Sequence, residues 1–229
     1  MNRTVGYVLA LVVLVGLAYA IYTYVPKAPP LPAVNTEEQK QDGTEIKVET
    51  IYDDTDTYSV EARYPQFGIP LVDAKIKAVV DNAVAAFKSY PANPPDSAAP
   101  KNEFTGSFNS TYVGADIVSV ALAFSEYTGG AHGNTVIIGV NVDRKTGEDV
   151  TLDEALLLIG KTLPEVGSES LVQLKAVLGE DMLFAEGAEP KPDNYSVFLI
   201  SKEKVTFIFN NYQVAPYSAG PQSTEFARK

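Results

Sequence analysis

Two runs of alternating side chains, separated by a short glycine-rich segment, constrain this fold more than any other part of the sequence. The first run covers residues 117–127 and the second covers residues 135–143. Because successive side chains of a strand point to opposite faces of a sheet, this period predicts two β-strands. Two strands joined by a short segment containing glycine favour an antiparallel hairpin.

The first run also predicts what covers the sheet. Its bulky side chains share one face: Val118, Val120, Leu122 and Phe124. Its small side chains share the other: Ser119, Ala121, Ala123 and Ser125. Small side chains allow another element to approach closely, and we expect a helix over this second face.

Other periodic segments predict strands and helices without a βαβ rhythm. The clearest helix covers residues 71–90, with one apolar stripe made of Val72, Ile76, Val79, Ala83 and Phe87. Thr151 and Thr162 each stand three residues before a glutamate, which is the capping-box signature of a helix start. Partial alternation predicts further strands at 45–52, 56–64, 103–112, 195–201, 204–210 and 222–227. We therefore expect an α+β fold, a mostly antiparallel sheet with packed helices.

The N-terminal region predicts export. Residues 4–25 carry no charge and are about as long as a bilayer-spanning helix, so we expect one N-terminal transmembrane helix within residues 1–25. A cleaved signal peptide is the alternative, since Ala18-Tyr19-Ala20 fits a small-x-small cleavage site. A proline-rich and polar linker follows over residues 26–43, and a folded domain covers residues 44–229. The expected location is the cell membrane, crossed once, with the C-terminal domain outside the cytoplasm, or secretion after cleavage.

The amino-acid composition excludes several classes of function. With 29 Asp+Glu against 18 Lys+Arg, the net charge is -11. Such a domain repels nucleic acid, so we expect no nucleic-acid partner, and it attracts basic partners. The absence of cysteine excludes disulfides, zinc–thiolate sites and catalytic thiols, and one histidine cannot build a typical zinc shell. We expect no metal and no cofactor.

Four acids near residue 148 raise the question of calcium. They are Asp143, Glu148, Asp149 and Asp153. Their spacing departs from that of an EF-hand loop. We interpret them as a solvated turn followed by acids at a helix start, where the helix dipole favours negative charge.

Three segments resemble one bacterial family. The first is YTGGAHG at residues 127–133, between a strand containing Ser119 and a strand ending at Asn141 and Asp143. The second is Thr146-Gly147 leading into Thr151-Leu152, and the third is FIFNNYQVAPYSAG at residues 207–220. Together they resemble the extracytoplasmic domain shared by the lysozyme-sensing anti-sigma factor RsiV and the non-catalytic N-terminal region of the peptidoglycan deacetylase PdaC. The resemblance extends from about residue 44 to the end.

This resemblance implies a bacterial, envelope-facing α+β domain but does not fix an activity, since related domains are attached to different modules. An anti-sigma factor needs a cytoplasmic sigma-binding region, and only about three residues precede the apolar run. The deacetylase needs a separate catalytic domain with several metal-binding histidines, and this chain has one histidine. Neither full function is expected here.

The glycine-rich segment and the C-terminal motif supply the candidate ligand-binding residues. They are Tyr127, Thr128, Gly129, Gly130, His132, Tyr212 and Tyr217. His132 is interpreted as a binding or structural side chain. A hydrolase triad with Ser119 or Ser125, and Asp143 as a neighbour, is the alternative, but the nucleophile-elbow pattern G-x-S-x-G is absent. The two tyrosines either present rings to a ligand or seal a sheet edge.

The expected function is that of a membrane-anchored bacterial envelope binding domain without catalysis. Its partner would be a cell-envelope component such as peptidoglycan, or a muramidase such as lysozyme, whose basic surface suits an acidic domain. Two alternatives stay open. One is a cell-wall hydrolase or deacetylase-related enzyme that uses His132, and the other is a structural tether for envelope proteins.

Overall fold

Five strands form a first sheet in the order of the sequence. The strands are β1 Lys47–Asp54, β2 Tyr58–Gln66, β3 Asn102–Val113, β4 Ile117–Tyr127 and β5 Asn134–Asp143. These belong to a computed structural model that describes residues 45–94 and 100–229. The expected membrane segment and linker lie outside the described residues. Among those that are described, no helix has the length and apolar character needed to cross a bilayer.

One pair of neighbouring strands in this sheet is parallel. β1/β2, β3/β4 and β4/β5 are antiparallel, whereas β2 and β3 run in the same direction. Parallel neighbours need a crossover connection, which helix α1 (Pro70–Lys88) provides. The prediction of an α+β fold with mostly antiparallel pairing is confirmed. The expectation of no βαβ unit is wrong at β2–α1–β3, because side-chain period identifies strands but not the partner that each one finds.

Helix α1 packs on the bulky face of the first sheet. Its buried side chains are Val72, Ile76, Val80, Val84 and Phe87. They share one core with the bulky side chains of β4, including Leu122 and Phe124. The predicted helix is confirmed, although Val80 and Val84 replace Val79 and Ala83 as the buried positions. The latter two lie half-buried at the margin of the core.

The C-terminal half builds a second core around three short strands. Helices α2 (Leu152–Ile159) and α3 (Leu163–Leu178) precede an antiparallel sheet of β6 Phe198–Ile200, β7 Lys204–Phe209 and β8 Gln222–Ala227. Both predicted capping signals lie at helix starts. The carboxylates of Glu154 and Glu165 accept the backbone N–H of Thr151 and Thr162, and these bonds lower the pKa of each carboxyl.

The two sheets meet at the small-residue face of β4. Ala121 of β4 and Ile137 of β5 pack against Ile208 of β7. At Gly139 a Cβ atom would collide with the Phe198 carbonyl, so glycine is required for this close approach of β5 and β6. The prediction of a helix over this face is wrong. Small side chains indicate that another element packs closely, but they do not indicate whether it is a helix or a sheet.

A buried polar network fixes the junction of the two sheets. The Ser119 hydroxyl donates to Asn141 Oδ1 at 2.6 Å and accepts the Ile200 N–H at 2.9 Å. Asn141 Nδ2 donates to the Phe198 carbonyl at 2.8 Å. Ser119 and Asn141 are almost fully buried. Each side chain therefore satisfies backbone groups of β6 that would otherwise be buried without a partner.

We expect Asn141→Ala to lower the free energy of unfolding by about 1–3 kcal/mol, because it leaves the Phe198 carbonyl without a donor and the Ser119 hydroxyl without an acceptor. Urea titration followed by circular dichroism measures the change. Asn82→Ala, on the exposed side of α1, is the control and should shift stability by less than about 0.5 kcal/mol. Equal stability of the two variants would contradict the role assigned to the network.

Candidate functional site

The loop over residues 128–133 joins β4 to β5 and carries the only histidine. Gly129 and Gly130 have φ values of 102° and 105°, a region that L-residues rarely adopt. At Gly133 a Cβ atom would lie 2.9 Å from the Glu126 carbonyl oxygen. The glycines therefore allow the loop to fold back over the hairpin and present His132 at its surface.

Three hydrogen bonds to backbone carbonyls hold this loop. Tyr127 Oη donates to the Gly130 carbonyl at 3.0 Å. Tyr217 Oη donates to the Gly133 carbonyl at 3.0 Å, and His132 Nδ1 lies 2.8 Å from that same oxygen. A carbonyl oxygen only accepts, so Nδ1 carries the proton. In the neutral ring, Nε2 is then the free acceptor.

Three aromatic rings lie side by side beside the loop, and we call His132, Tyr217 and Tyr212 the aromatic stack. The His132 and Tyr217 ring centroids are 4.3 Å apart with planes inclined by 23°. Those of Tyr217 and Tyr212 are 5.5 Å apart with planes inclined by 33°. Tyr217 is half-buried in the middle, whereas His132 and Tyr212 are exposed. The outer rings therefore offer apolar faces and polar tips to a ligand.

Side-chain amides fasten the C-terminal segment to the hairpin. Asn210 Oδ1 accepts the Ile137 N–H at 2.7 Å, and Asn210 Nδ2 donates to the Ile137 carbonyl at 3.0 Å. Asn211 Nδ2 donates to the Thr135 carbonyl at 3.1 Å. Asn210 thus pairs with edge strand β5 as a neighbouring strand residue would. These contacts set Tyr212 next to the hairpin.

The backbone of Tyr212 supports a role for its ring. Its φ is 66°, in the left-handed region that non-glycine residues seldom occupy. The flanking amides hold this conformation, because Asn211 bonds β5 and Gln213 bonds the carbonyls of Gly187 and Asn194. The residue is 57% exposed. Such strain concentrates at ligand-binding sites, which makes Tyr212 the strongest candidate among the predicted residues.

The structure brings the predicted residues into one surface. Tyr127, Thr128, Gly129, Gly130 and His132 belong to the loop or its first strand, and Tyr212 and Tyr217 reach it from the C-terminal segment. Their role in ligand binding stays a prediction. Sequence reasoning missed Asn210, Asn211 and Gln213. The sequence feature that could have indicated them is the group of amide side chains directly after a strand, because such side chains can hydrogen-bond neighbouring backbone groups.

Two of the residues weighed for a hydrolase triad, Ser119 and Asp143, lie far along their strands from the loop that carries His132. Ser119 is buried at the sheet junction, about 26 Å along β4 from Tyr127. The Ser125 hydroxyl lies 2.7 Å from that of Thr135. Asp143 lies at the far end of β5, about 30 Å along the strand from Asn134. Ser119 and Asp143 are therefore too far along their strands to join His132 in a triad, whereas a catalytic role for Ser125 stays a hypothesis.

The acids considered for calcium serve local structure. Asp143 Oδ1 accepts the N–H groups of Lys145 and Thr146, and the bonds from Thr146 and then Lys145 lower the pKa of this carboxyl. Asp149 pairs with Lys75 of α1 at 2.6 Å. Within residues 45–94 and 100–229, no three His, Asp or Glu side chains are grouped to hold a metal ion.

Comparisons with known proteins find two family models and a curated relative. The model described as "Deacetylase PdaC" matches residues 51–135, and "Protein of unknown function (DUF3298)" matches residues 163–229. The peptidoglycan-N-acetylmuramic acid deacetylase PdaC of Bacillus subtilis is 24% identical over 94% of this chain, which spans 46% of that protein. These matches support a shared DUF3298/PdaC-like domain.

Solved structures show the same fold for the DUF3298/PdaC-like domain. A DUF3298 protein from Pseudomonas aeruginosa aligns with a TM-score of 0.53 at 18% identity. A DUF3298 member from Bacteroides fragilis aligns with a TM-score of 0.50 at 15% identity. Both alignments cover 80% of this chain and 91% of the other. The aromatic stack joins the two matched segments, since His132 lies in the first and both tyrosines lie in the second.

Because the chain has one histidine, its ring protons give one set of NMR signals. We expect these signals upfield of free histidine, since they lie above the Tyr217 ring. Tyr217→Leu should remove the upfield shift. Tyr112→Leu is the control, because Tyr112 is paired with Ser119 at the other end of β4 from the loop. Signals that do not move in Tyr217→Leu would contradict the stack.

Proposed function

We propose that this domain is a peptidoglycan-binding module without catalysis of its own, and that the aromatic stack is its contact surface. The observation that carries the proposal is the convergence of His132, Tyr212 and Tyr217, from two distant segments, into adjacent and partly exposed rings. Rings of this kind bind flat apolar faces such as those of sugars while their polar tips form hydrogen bonds.

The relationship to a deacetylase supports peptidoglycan as the ligand. The relative's name states that it acts on N-acetylmuramic acid of peptidoglycan. This chain resembles about half of that protein, so a shared domain is better explained by a shared ligand than by a shared reaction.

The surroundings of His132 favour binding over catalysis. Its ring stacks on Tyr217 and bonds the Gly133 carbonyl. A general base must lie within hydrogen-bond reach of the nucleophile's hydroxyl. The hydroxyl of Ser125, which was considered as that nucleophile, is instead paired with Thr135. The His132 ring is therefore suited to hold a ligand.

The test is cosedimentation with purified peptidoglycan. Tyr212→Ala should weaken binding about fivefold or more, because it removes an exposed contact ring. Leu157→Ala, which removes an exposed apolar side chain of α2, is the control and should bind as the parent does. Equal binding by both variants would contradict the assignment of the aromatic stack as the contact surface. If the parent chain does not bind peptidoglycan, the proposed function is wrong.

A muramidase such as lysozyme is the second candidate partner. The observation that favours it is the net charge of -11, which attracts a basic protein. Calorimetric titration at low and moderate salt tests it. We expect saturable one-to-one binding that survives moderate salt if recognition is specific, because only diffuse attraction is fully screened. Heat that vanishes with added salt would eliminate this partner.

We also propose that the domain lies outside the cytoplasm, held at the membrane by residues 1–25. The uncharged run at residues 4–25 and the envelope ligand of the relative support this location. Protease added to intact cells without an outer permeability barrier should digest an exported domain. Full protection would place the domain inside.

A further inference from the structure

The face of the first sheet that points away from α1 is covered over only part of its width. On the β4–β5 side, Ala121 and Ile137 are buried against Ile208 of the second sheet. On the β1–β3 side, the side chains of Tyr52, Glu61 and Thr105 are exposed. Tyr52 alone is 69% exposed. This side of the sheet is therefore open to a ligand in the described structure.

Strand register aligns five of these side chains in one line, which we call the sheet row. Tyr52 is opposite Glu61, and Glu61 is opposite Thr105. Thr105 is opposite Ser125, and Ser125 is opposite Thr135. The row thus crosses all five strands. Four strand spacings give it a length of about 19 Å.

The sheet row ends at the aromatic stack. The hydroxyls of Ser125 and Thr135 lie 2.7 Å apart, and the Thr135 carbonyl accepts the amide of Asn211, next to Tyr212. In the adjacent line, Glu103 is opposite Tyr127, whose hydroxyl holds the loop. A ligand on the stack can therefore continue across the sheet.

The chemistry of the row suits a polyhydroxylated cation. Hydroxyl groups lie along its middle, an exposed aromatic ring lies at each end, and Glu61 and Glu103 add two carboxylates on the same face. In the part of the chain that the structure describes, neither carboxylate pairs with a cation. Two positive charges lie nearby: Arg63 stands opposite Thr50, one line away, and Lys101, which is paired with Asp54, lies near Tyr52.

A folded protein is a poorer match for this surface than a glycan. Protein interfaces have an apolar centre from which charged residues are depleted. The sheet row instead has hydroxyls and carboxylates at its centre and rings only at its ends. Sugar hydroxyls can donate to these oxygens, ring faces can stack at the ends, and amino groups can pair with the carboxylates.

We propose that the sheet row extends the aromatic stack into a binding track for a glycan strand of amino sugars whose amino groups are free. This proposal rests on the proposed function and names its ligand class. Glu61 and Glu103 bind the ammonium groups, the row hydroxyls accept from sugar hydroxyls, and Tyr52 stacks on the sugar farthest from Tyr212.

The experiment compares glucosamine oligomers with N-acetylglucosamine oligomers of equal length, titrated calorimetrically into the full chain. Glucosamine oligomers should bind more tightly by about 1.5- to 5-fold for each ion pair formed. Glu61→Gln combined with Glu103→Gln should abolish this preference without weakening the acetylated oligomers. The control combines Glu186→Gln with Glu203→Gln, two exposed acids elsewhere with the same change in net charge, and should keep the preference.

A second variant tests the length of the track. Tyr52→Thr should weaken long oligomers and leave the disaccharide unchanged, because only a long strand reaches from Tyr212 to β1. Tyr52 is exposed and threonine favours strands, so the fold should be retained. Equal affinity of parent and Tyr52→Thr for long oligomers would overturn the track.

The outcomes separate this proposal from the proposed function. Peptidoglycan binding that requires Tyr212 but shows no preference for free amino groups overturns the track and leaves the module intact. A preference that the two glutamine substitutions do not change also overturns it. If those substitutions weaken lysozyme binding and leave every oligosaccharide unaffected, the face docks a basic protein and the glycan track is wrong.

Discussion

The close approach of β5 and β6 is the constraint on which the rest of this structure depends. Gly139 leaves room for the Phe198 carbonyl, and Asn141 and Ser119 then satisfy the backbone groups that this contact buries. A larger residue at 139 would separate the sheets, and a residue without polar atoms at 141 would leave a carbonyl unpaired. The second core is positioned against the first by this junction.

The candidate site is a consequence of that junction. Once β7 lies against β4 and β5, the residues that follow it reach the open edge of β5. Asn210 and Asn211 then pair with the backbone of that edge, which both hides an unpaired strand edge and carries Tyr212 to the hairpin loop. The glycines of the loop and the hydroxyl of Tyr217 complete the arrangement. The aromatic stack is therefore held by side-chain hydrogen bonds to backbone groups as well as by contacts between its rings.

Two polar residues that were weighed for catalysis have structural roles in this fold. The polar groups that a hydrolase would need are used for structure: Ser119 at the sheet junction and Asp143 in a turn. The groups left exposed are ring faces, hydroxyls and carboxylates on one surface. The proposed binding of an extended polar ligand depends on these groups. On the open half of the first sheet these side chains lie along one line, whereas the other half is covered by the second sheet.

Local pattern was sufficient for most elements of this fold. Side-chain period predicted α1, β4 and β5, the capping signals predicted the starts of α2 and α3, and the glycine-rich motif marked the hairpin loop. Three features could not be predicted from local pattern. The parallel pairing of β2 with β3, the sheet rather than helix over Ala121, and the insertion of Asn210 beside Ile137 all join residues far apart in the chain.

The sequence by itself determined which segments form strands and helices, that the chain is acidic, and which residues are candidates for a site. Only the tertiary structure decided that His132 stacks on Tyr217, that Ser119 is buried away from both, and that Tyr52 and Thr135 end a single row across the sheet. The physical reason is that period and capping act within a few residues. Contacts between distant residues depend on strand register and on how closely two sheets can pack.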